Sequence, residues 1–388
     1  MKKLSLKYIL LFRSFSFSNW FILAILVIGV LAPFLANDKP IISIQNHNIS
    51  FPFFSNEKYL ENTAAFEVWP LIPYHSQSLD FKNMNSVGPF EEQVVPSLYY
   101  RHWLGTDELG RDLLAGLIHG CHTAIWVGFG AMAIALIIGV FLGGIAGYFG
   151  DSTYRIHKAK WISCLAFLLL TALFIPNLIP WNWAEIPFIE KATQTILFTM
   201  LFLFLSAVLY FILNRFQAYK KSISIPVDLI ISRCIEIMET IPLLFLIIAL
   251  SAIFSPSYWS LIGIIGISSW TSIAKFMRAE VLKIRQKDYV ESGFALGLSN
   301  IQIMKNHVLP NALNPIYINL SFGIAAAILI EATLSFLGLG MGVEQVSWGS
   351  ILASSRADYT SWWLAVYPGV LLFLTLYSLN QIGDKLSK

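Results

Sequence analysis

The sequence predicts a polytopic, all-α membrane protein, and three observations carry that class. Of 388 residues, 56% are hydrophobic and only 13% are charged. Uncharged apolar runs of about 18 residues or more recur, long enough to cross roughly 30 Å of hydrocarbon. The runs are continuous and do not alternate apolar with polar residues, as the strands of a membrane barrel would. The three cysteines, Cys121, Cys164 and Cys234, fall at or within predicted spans, and an odd number there argues against a disulfide framework.

Taken in order, residues 1–36 form a basic tail (Lys2, Lys3, Lys7, Arg13) and a first span from Trp20 to Ala36. No small-residue cleavage site follows that apolar run and Pro33 interrupts its end, so it reads as an uncleaved anchor rather than a signal peptide. Residues 37–120 are polar and aromatic, with pieces such as Phe51–Phe54 too short to span; they should form a small external segment ending in the turn-rich HWLGTDELGRD, His102–Asp112. The second span lies within 121–150, with Gly139, Gly143 and Gly147 every four residues, a spacing that lets another helix approach closely. Residues 151–226 hold two further spans, Trp161–Leu178 and Thr195–Leu213, around a Pro/Trp-rich loop. The rest, 227–388, holds spans at about Ile235–Phe254 (with Pro242 as a kink), Trp259–Phe276, Pro315–Leu337 and Trp363–Ile382. That makes eight.

Charge orients these spans. With the amino terminus inside, inner segments carry 19 of the 26 Lys and Arg residues. This agrees with the positive-inside rule and puts both termini and the segment 288–310 in the cytoplasm.

That segment, DYVESGFALGLSNIQIMKNHVLP, is a helix-turn-helix written in capping signals. Asp288 is read as an N-cap with Glu291 reaching back, and Gly297 as a left-handed helix stop. Ser299 caps a second helix with Gln302 as its partner, and Pro310 is read as the end of that helix. Val290, Phe294 and Leu298 share one face by spacing, and Ile301, Met304 and Val308 another. A short amphipathic helix can lie on a membrane surface; two caps and a glycine stop specify a shaped elbow, which points to a protein partner.

Few residues invite chemistry. No glycine is followed by lysine, so no GxxxxGK[ST] phosphate loop exists, and neither GxSxG nor HExxH is present. His119, Cys121 and His122 lack a plausible fourth metal ligand nearby. Glu331, inside a span, is either a pathway-lining group or a packing group, hydrogen-bonded to a neighbouring subunit or protonated. Glu236 and Glu239 are read at the first turns of the fifth span, where carboxylates favour a helix N-terminus. No cofactor, metal or nucleic-acid surface is expected.

The elbow resembles the EAA loop of ABC importer permeases, EAA-x3-G-x9-I-x-L-P. Glu291, Ser292 and Gly293 stand for EAA; Gly297 matches the glycine, His307 takes the Ile position, and Leu309-Pro310 closes the motif. Small residues and an HxLPN ending (His307–Asn311) are usual in the dipeptide/oligopeptide branch. HWLGTDELGRD (102–112), GYFG (147–150), VDLIISRCIEIMETIP (227–242), EATLSFLGLG (331–340), SWG (347–349) and the YPG…LN…GD tail (367–384) also resemble that branch. FLANDKP (34–40) and WPLIPY (69–74) are similar to its microcin C/oligopeptide type. His122 stands where the family usually has Arg, and 151–226 has no counterpart in the usual six-span form.

The resemblance implies a type I importer permease core of six spans plus an inserted two-span hairpin, in a bacterial inner membrane. It implies a second permease subunit, two cytoplasmic ATPase subunits and an extracytoplasmic substrate-binding protein, besides membrane lipid. The ATPase-coupling residues would be Asp288, Glu291, Gly293, Gly297, His307, Leu309 and Pro310. Glu331, Glu236 and Pro242 would line a pathway or pack. ATP hydrolysis would reside on the partner, and this chain would not be an enzyme. The alternative is an ion-coupled carrier using Glu331, which would need discontinuous helices or repeats about a midplane site; neither a repeat nor a pair of broken spans is visible.

Overall fold

The computed structural model describes residues 17–45, 48–52, 66–151, 155–178, 188–254, 257–342 and 345–387. The basic tail 1–16, Phe53–Phe54 and most of the loop between the third and fourth predicted spans lie outside the described residues. The chain divides into two compact units, one of Met1–Gly144 with Cys234–Lys388, the other of Ile145–Arg233.

In the larger unit, helix α1 (Phe17–Leu35) carries Pro33 in its last turn. A three-stranded antiparallel sheet follows, with β1 (Ile42–Gln45) between β2 (Asn48–Ser50) and β3 (Phe66–Val68). Helix α2 (Leu113–Phe149, 37 residues) begins eight residues before the predicted segment 121–150. At 1.5 Å per residue it is about 55 Å long, well beyond the hydrocarbon thickness. Its glycines are points of close approach. A Cβ on Gly139 would stand 2.7 Å from Ile273 Cβ, and one on Gly143 only 2.3 Å from the Ala274 carbonyl oxygen. The helix receiving them is α8 (Tyr258–Arg285).

The smaller unit holds β4 (Arg155–His157), α3 (Lys158–Leu178), α4 (Phe188–Asn214), the single turn α5 (Gln217–Lys220) and β5 (Ser222–Ser224). Strands β4 and β5 pair antiparallel, and α3 packs on α4 as a hairpin.

Helix α6 (Val227–Thr240) and α7 (Leu243–Ile253) take the place of the fifth predicted span and bend by 84° at their junction. Pro242 is therefore a break rather than a kink: it occupies the N-cap of α7 with an extended ψ of 124°, and its ring nitrogen offers no N–H to carry α6 onward. The same break corrects the reading of Glu236 and Glu239. Both lie in the C-terminal half of α6, not at a helix start, and the Glu239 carboxylate instead pairs with Lys275.

The remaining elements are α8 (Tyr258–Arg285), the elbow helices α9 (Asp288–Ala295), α10 (Asn300–Ile303) and α11 (Leu309–Ala312), then α12 (Ile316–Phe336), α13 (Trp348–Ser354) and α14 (Trp363–Ser387). Helix α12 packs on α8, α13 and α14, and α14 packs on α1. Buried Ile265, Ile273, Met277, Ile316, Leu334 and Trp348 form the centre of this bundle.

Among the described residues, six helices are long and apolar enough to cross a membrane, or seven if the bent α6–α7 pair is one span. Helix α3 occupies the third predicted span but is not among the six. The architecture is the polytopic helical one, with six to seven candidate spans where eight were expected.

Candidate functional sites

The elbow is built by local backbone chemistry. Helix α9 ends in a Schellman arrangement: Gly297, at φ +79°, donates its N–H to the Phe294 carbonyl (3.0 Å), and Leu298 donates to the Gly293 carbonyl (3.2 Å). The Ser299 side chain then caps α10, with the Gln302 side chain bonded back to the Ser299 N–H at 2.9 Å.

Two capping expectations are corrected. Lys287, not Asp288, is the N-cap of α9, and no side chain caps that end. Lys287 is the last extended residue (φ −85°, ψ 142°) after α8, so Asp288 becomes the first helical residue. There, with Glu291, it still places negative charge in the first turn, where the helix dipole favours it. Pro310 does not end the second helix either. Backbone at Met304–Val308 widens into a π turn, and the Leu309 N–H reaches the Met304 carbonyl, five residues back. This widening accommodates the missing Pro310 N–H, and the helix resumes at Leu309–Ala312. The Asn311 amide donates to the His307 carbonyl at 2.6 Å.

Packing divides the elbow into two faces. Val290, Gly293, Ile303 and Val308 are buried, and α9, the Met304–Val308 turn and α11 touch α8. The other face exposes Leu296 (80%), Ile301 (68%) and Phe294 (43%). The face predicted from spacing, Val290 with Phe294 and Leu298, is thus split: Val290 is buried and Phe294 exposed, although both lie in α9. A Cβ built on Gly297 meets nothing within 4 Å. Asp288, Glu291 and Pro310 are exposed, while His307 and Leu309 are half-buried. These residues form one rigid, apolar-tipped projection held directly on a long helix.

A second knot forms where the HWLGTDELGRD segment meets the start of α2. His102 is fully buried; its Nδ1 lies 2.9 Å from Asp112 Oδ1 and its Nε2 3.3 Å from Asp80 Oδ2. Tyr74 stacks on the imidazole at 4.3 Å between centroids. Burial alone would lower the imidazole's pKa, but hydrogen bonds and charge from Asp112 and Asp80 outweigh it and raise the pKa above the ordinary histidine value. Asp112 also accepts from the Ala115 N–H (2.7 Å), capping α2. Asp107 receives the N–H groups of Leu109 and Arg111 and the Arg111 Nε. Gly105 and Gly110 have φ of +86° and +78°, and a Cβ on Gly110 would stand 2.2 Å from the Asp80 carbonyl oxygen. The motif was legible in the sequence. Its partners Asp80 and Tyr74 were not, since they arrive through a loop with no periodicity to announce them.

Glu331 is 2% exposed in α12 and accepts a hydrogen bond from Ser335 Oγ at 2.7 Å, with the Ser347 hydroxyl beside it. Glu236 is exposed on α6. His119, Cys121 and His122 serve separate contacts: His119 Nε2 bonds the Ala36 carbonyl (2.9 Å) and Cys121 is buried against α1.

Residues 218–386, which include the elbow and Glu331, match the family described as binding-protein-dependent transport system inner membrane component. The chain is 29% identical to the dipeptide transport system permease protein DppC of Alkalihalophilus pseudofirmus, over 74% of this chain and 70% of the relative. It is 25% identical to the peptidoglycan transport system permease protein YejE of Agrobacterium fabrum, over 95% of this chain and 86% of the relative. Among solved structures, inward facing conformations of the MetNI methionine ABC transporter align with a TM-score of 0.44 at 15% identity, covering 70% of this chain and 94% of that chain.

Proposed function

We propose that this chain is a member of the binding-protein-dependent inner-membrane transport component family and the translocation subunit of an ATP-driven importer of peptides or peptide-like solutes. The observation that carries the reading is the elbow. It lies inside the family-matched segment and exposes Leu296, Ile301 and Phe294 on a Gly297-stopped turn. Polar surroundings do not favour such a tip unless a partner covers it.

The partner is a cytoplasmic ATPase, one of two, since the chain has no phosphate-binding loop of its own. A second permease subunit and an extracytoplasmic substrate-binding protein complete the assembly. Relatives named for dipeptide and peptidoglycan transport support a peptide-class substrate. The excess of Lys and Arg in 1–18, 151–160, 214–234 and 275–307 supports a bacterial inner-membrane orientation with both termini and the elbow inside. The assigned coupling residues are Asp288, Glu291, Gly293, Gly297, His307, Leu309 and Pro310.

The coupling follows from packing. Movement of the ATPase displaces the exposed face, and buried Val290, Ile303 and Val308 pass that displacement to α8 as a rigid body. The test is Gly297→Trp against Gly297→Asn. Both carry the left-handed strain, which Asn tolerates best among side chains. Trp adds far more bulk than Asn, at a position where a Cβ meets nothing within 4 Å. Expected is normal membrane insertion of both variants, with transport uncoupled from ATP hydrolysis in the Trp variant alone. Normal transport by Gly297→Trp overturns the coupling role.

A further inference from the structure

The smaller unit contains a groove outside the family-matched residues 218–386. It lies between α3 and α4, has a volume of about 580 Å3, and is walled by Phe167, Leu168, Leu203 and Ala207. One end is polar, with Lys160 two residues into α3 and Tyr210 near the end of the antiparallel α4. The two hydroxyls along the groove are already engaged by their own helices: Ser163 Oγ donates to the Ala159 carbonyl and Ser206 Oγ to the Leu203 carbonyl, each at 2.8 Å. Lys160 is exposed, and among the described residues no carboxylate pairs with it.

Charge at that end is concentrated by the fold. The β4–β5 ribbon pairs Arg155 with Ser224, and the Lys158 N–H bonds the Lys221 carbonyl at 3.1 Å. The turn thus gathers Arg155, Lys158, Lys160, Arg215 and Lys221 at the foot of the hairpin. Asp151 and Asp228 belong to the same unit: Asp151 accepts the Leu229 N–H at 3.0 Å, and Asp228 sits in the first turn of α6. Away from this foot the hairpin is apolar all round, with Leu168, Leu173, Phe204 and Phe211 between 62% and 72% exposed. Such a surface requires hydrocarbon around it. An apolar trough leading to a cationic foot is complementary to an amphiphile with an acidic head. Acyl tails alone would not discriminate between lipids; the basic end does.

We propose that the α3–α4 groove holds one anionic phospholipid, its acyl chain along Phe167, Leu168 and Leu203 and its phosphate at Lys160. Cys164 lines the groove and is exposed, so it reports occupancy directly. The experiment uses the intact transporter complex in detergent, with the other exposed cysteine of this chain removed by Cys234→Ser. The rate at which a polar maleimide labels Cys164 is followed during titration with phosphatidylglycerol, phosphatidylcholine or inorganic phosphate. Phosphatidylglycerol should slow labelling saturably, while phosphatidylcholine at equal concentration and phosphate alone should not. Lys160→Gln should raise the half-protecting concentration about fivefold, the effect of one basic contact at an acidic headgroup, and Lys160→Arg should restore it. Equal protection by both lipids, or no change in Lys160→Gln, overturns the proposal. So does a crosslink from Cys164 to another subunit, which would show the groove filled by protein.

Discussion

His102 Nδ1 and Asp112 Oδ1 stand 2.9 Å apart with essentially no solvent at either side chain. Because Asp112 also receives the Ala115 N–H, this one contact ties the 102–112 turn to the first turn of α2. Its pH dependence has a definite sign. The imidazole's pKa is raised in the fold, so its contribution is complete below the ordinary value of 6.5 and is lost as pH rises through the raised value. Burial would push the Asp80 carboxyl up, but Asn83, the Lys82 N–H and His102 outweigh it and hold it below its ordinary 3.8. Its contribution is therefore present above 3.8 and lost as pH falls through the lowered value. The turn should be firmest between those limits. Amide exchange at residues 102–113, corrected for intrinsic rates, should accelerate from pH 6 to pH 9. In His102→Ala that dependence should vanish, with a loss of about 3 kcal/mol from leaving a buried carboxylate unpaired. A pH-independent wild type would refute the ionic reading of the contact.

The Ser299 cap gives a local prediction. Ser299→Ala removes the hydroxyl that accepts the Gln302 N–H, while the Ser299 N–H can still reach the Gln302 side chain, and should cost about 1 kcal/mol, confined to the elbow. Exchange at residues 300–303 should rise severalfold while buried Ile273, Ala274 and Met277 of α8 stay protected. Loss of protection throughout α8 would mean that the elbow is not the separate capped unit its hydrogen bonds describe.

These cases show what was legible in the sequence. Ser299–Gln302 and Gly297 were readable because caps act over three or four residues. Asp288 was misread by one position, since the choice of N-cap depends on where α8 releases the chain at Lys287. Pro310 was misread because a π turn can absorb a proline that would end a regular helix. At Pro242 the sequence announced an interruption, but an 84° bend depends on what α6 and α7 pack against, as the Glu239–Lys275 pair illustrates. The elbow's inward and outward faces could not be separated by spacing alone: Val290 and Phe294 stand four residues apart in α9, yet one is buried and the other exposed.

Gly143 and Gly144 are neighbours with opposite demands. A methyl group at Gly143 would stand 2.3 Å from the Ala274 carbonyl oxygen and 2.9 Å from Ala274 Cα, both backbone atoms that cannot step aside. At Gly144 the nearest atom is the flexible Met277 Cε at 3.8 Å. Gly143→Ala should force α2 and α8 apart, at about 2–3 kcal/mol, and lower the yield of folded chain. Gly144→Ala should be neutral or slightly stabilising, because alanine is the better helix former. Comparison of the two yields by detergent-resistant gel filtration checks the packing directly, and equal behaviour would contradict it.

Glu331 separates coupling by ATPase from coupling by an ion. Its carboxylate accepts from Ser335 Oγ at 2.7 Å and sits beside the Ser347 hydroxyl, with 2% of the residue exposed. Those contacts need an acceptor oxygen, which glutamine also supplies; they do not need a group that gains and loses a proton. Glu331→Gln should therefore support ATP-driven uptake close to the wild-type rate. Glu331→Leu should instead leave Ser335 and Ser347 buried without their acceptor, at about 1–3 kcal/mol for each hydroxyl that finds no other partner. It should reduce folded yield before it alters any transport step. An ion-coupled carrier predicts the reverse order: abolished uptake in Glu331→Gln despite full expression, and gradient-driven uptake by the wild-type chain without ATP. Uptake assays on both variants in vesicles, with ATP and an ion gradient supplied separately, distinguish the two, because only a titrating Glu331 makes the isosteric amide fail.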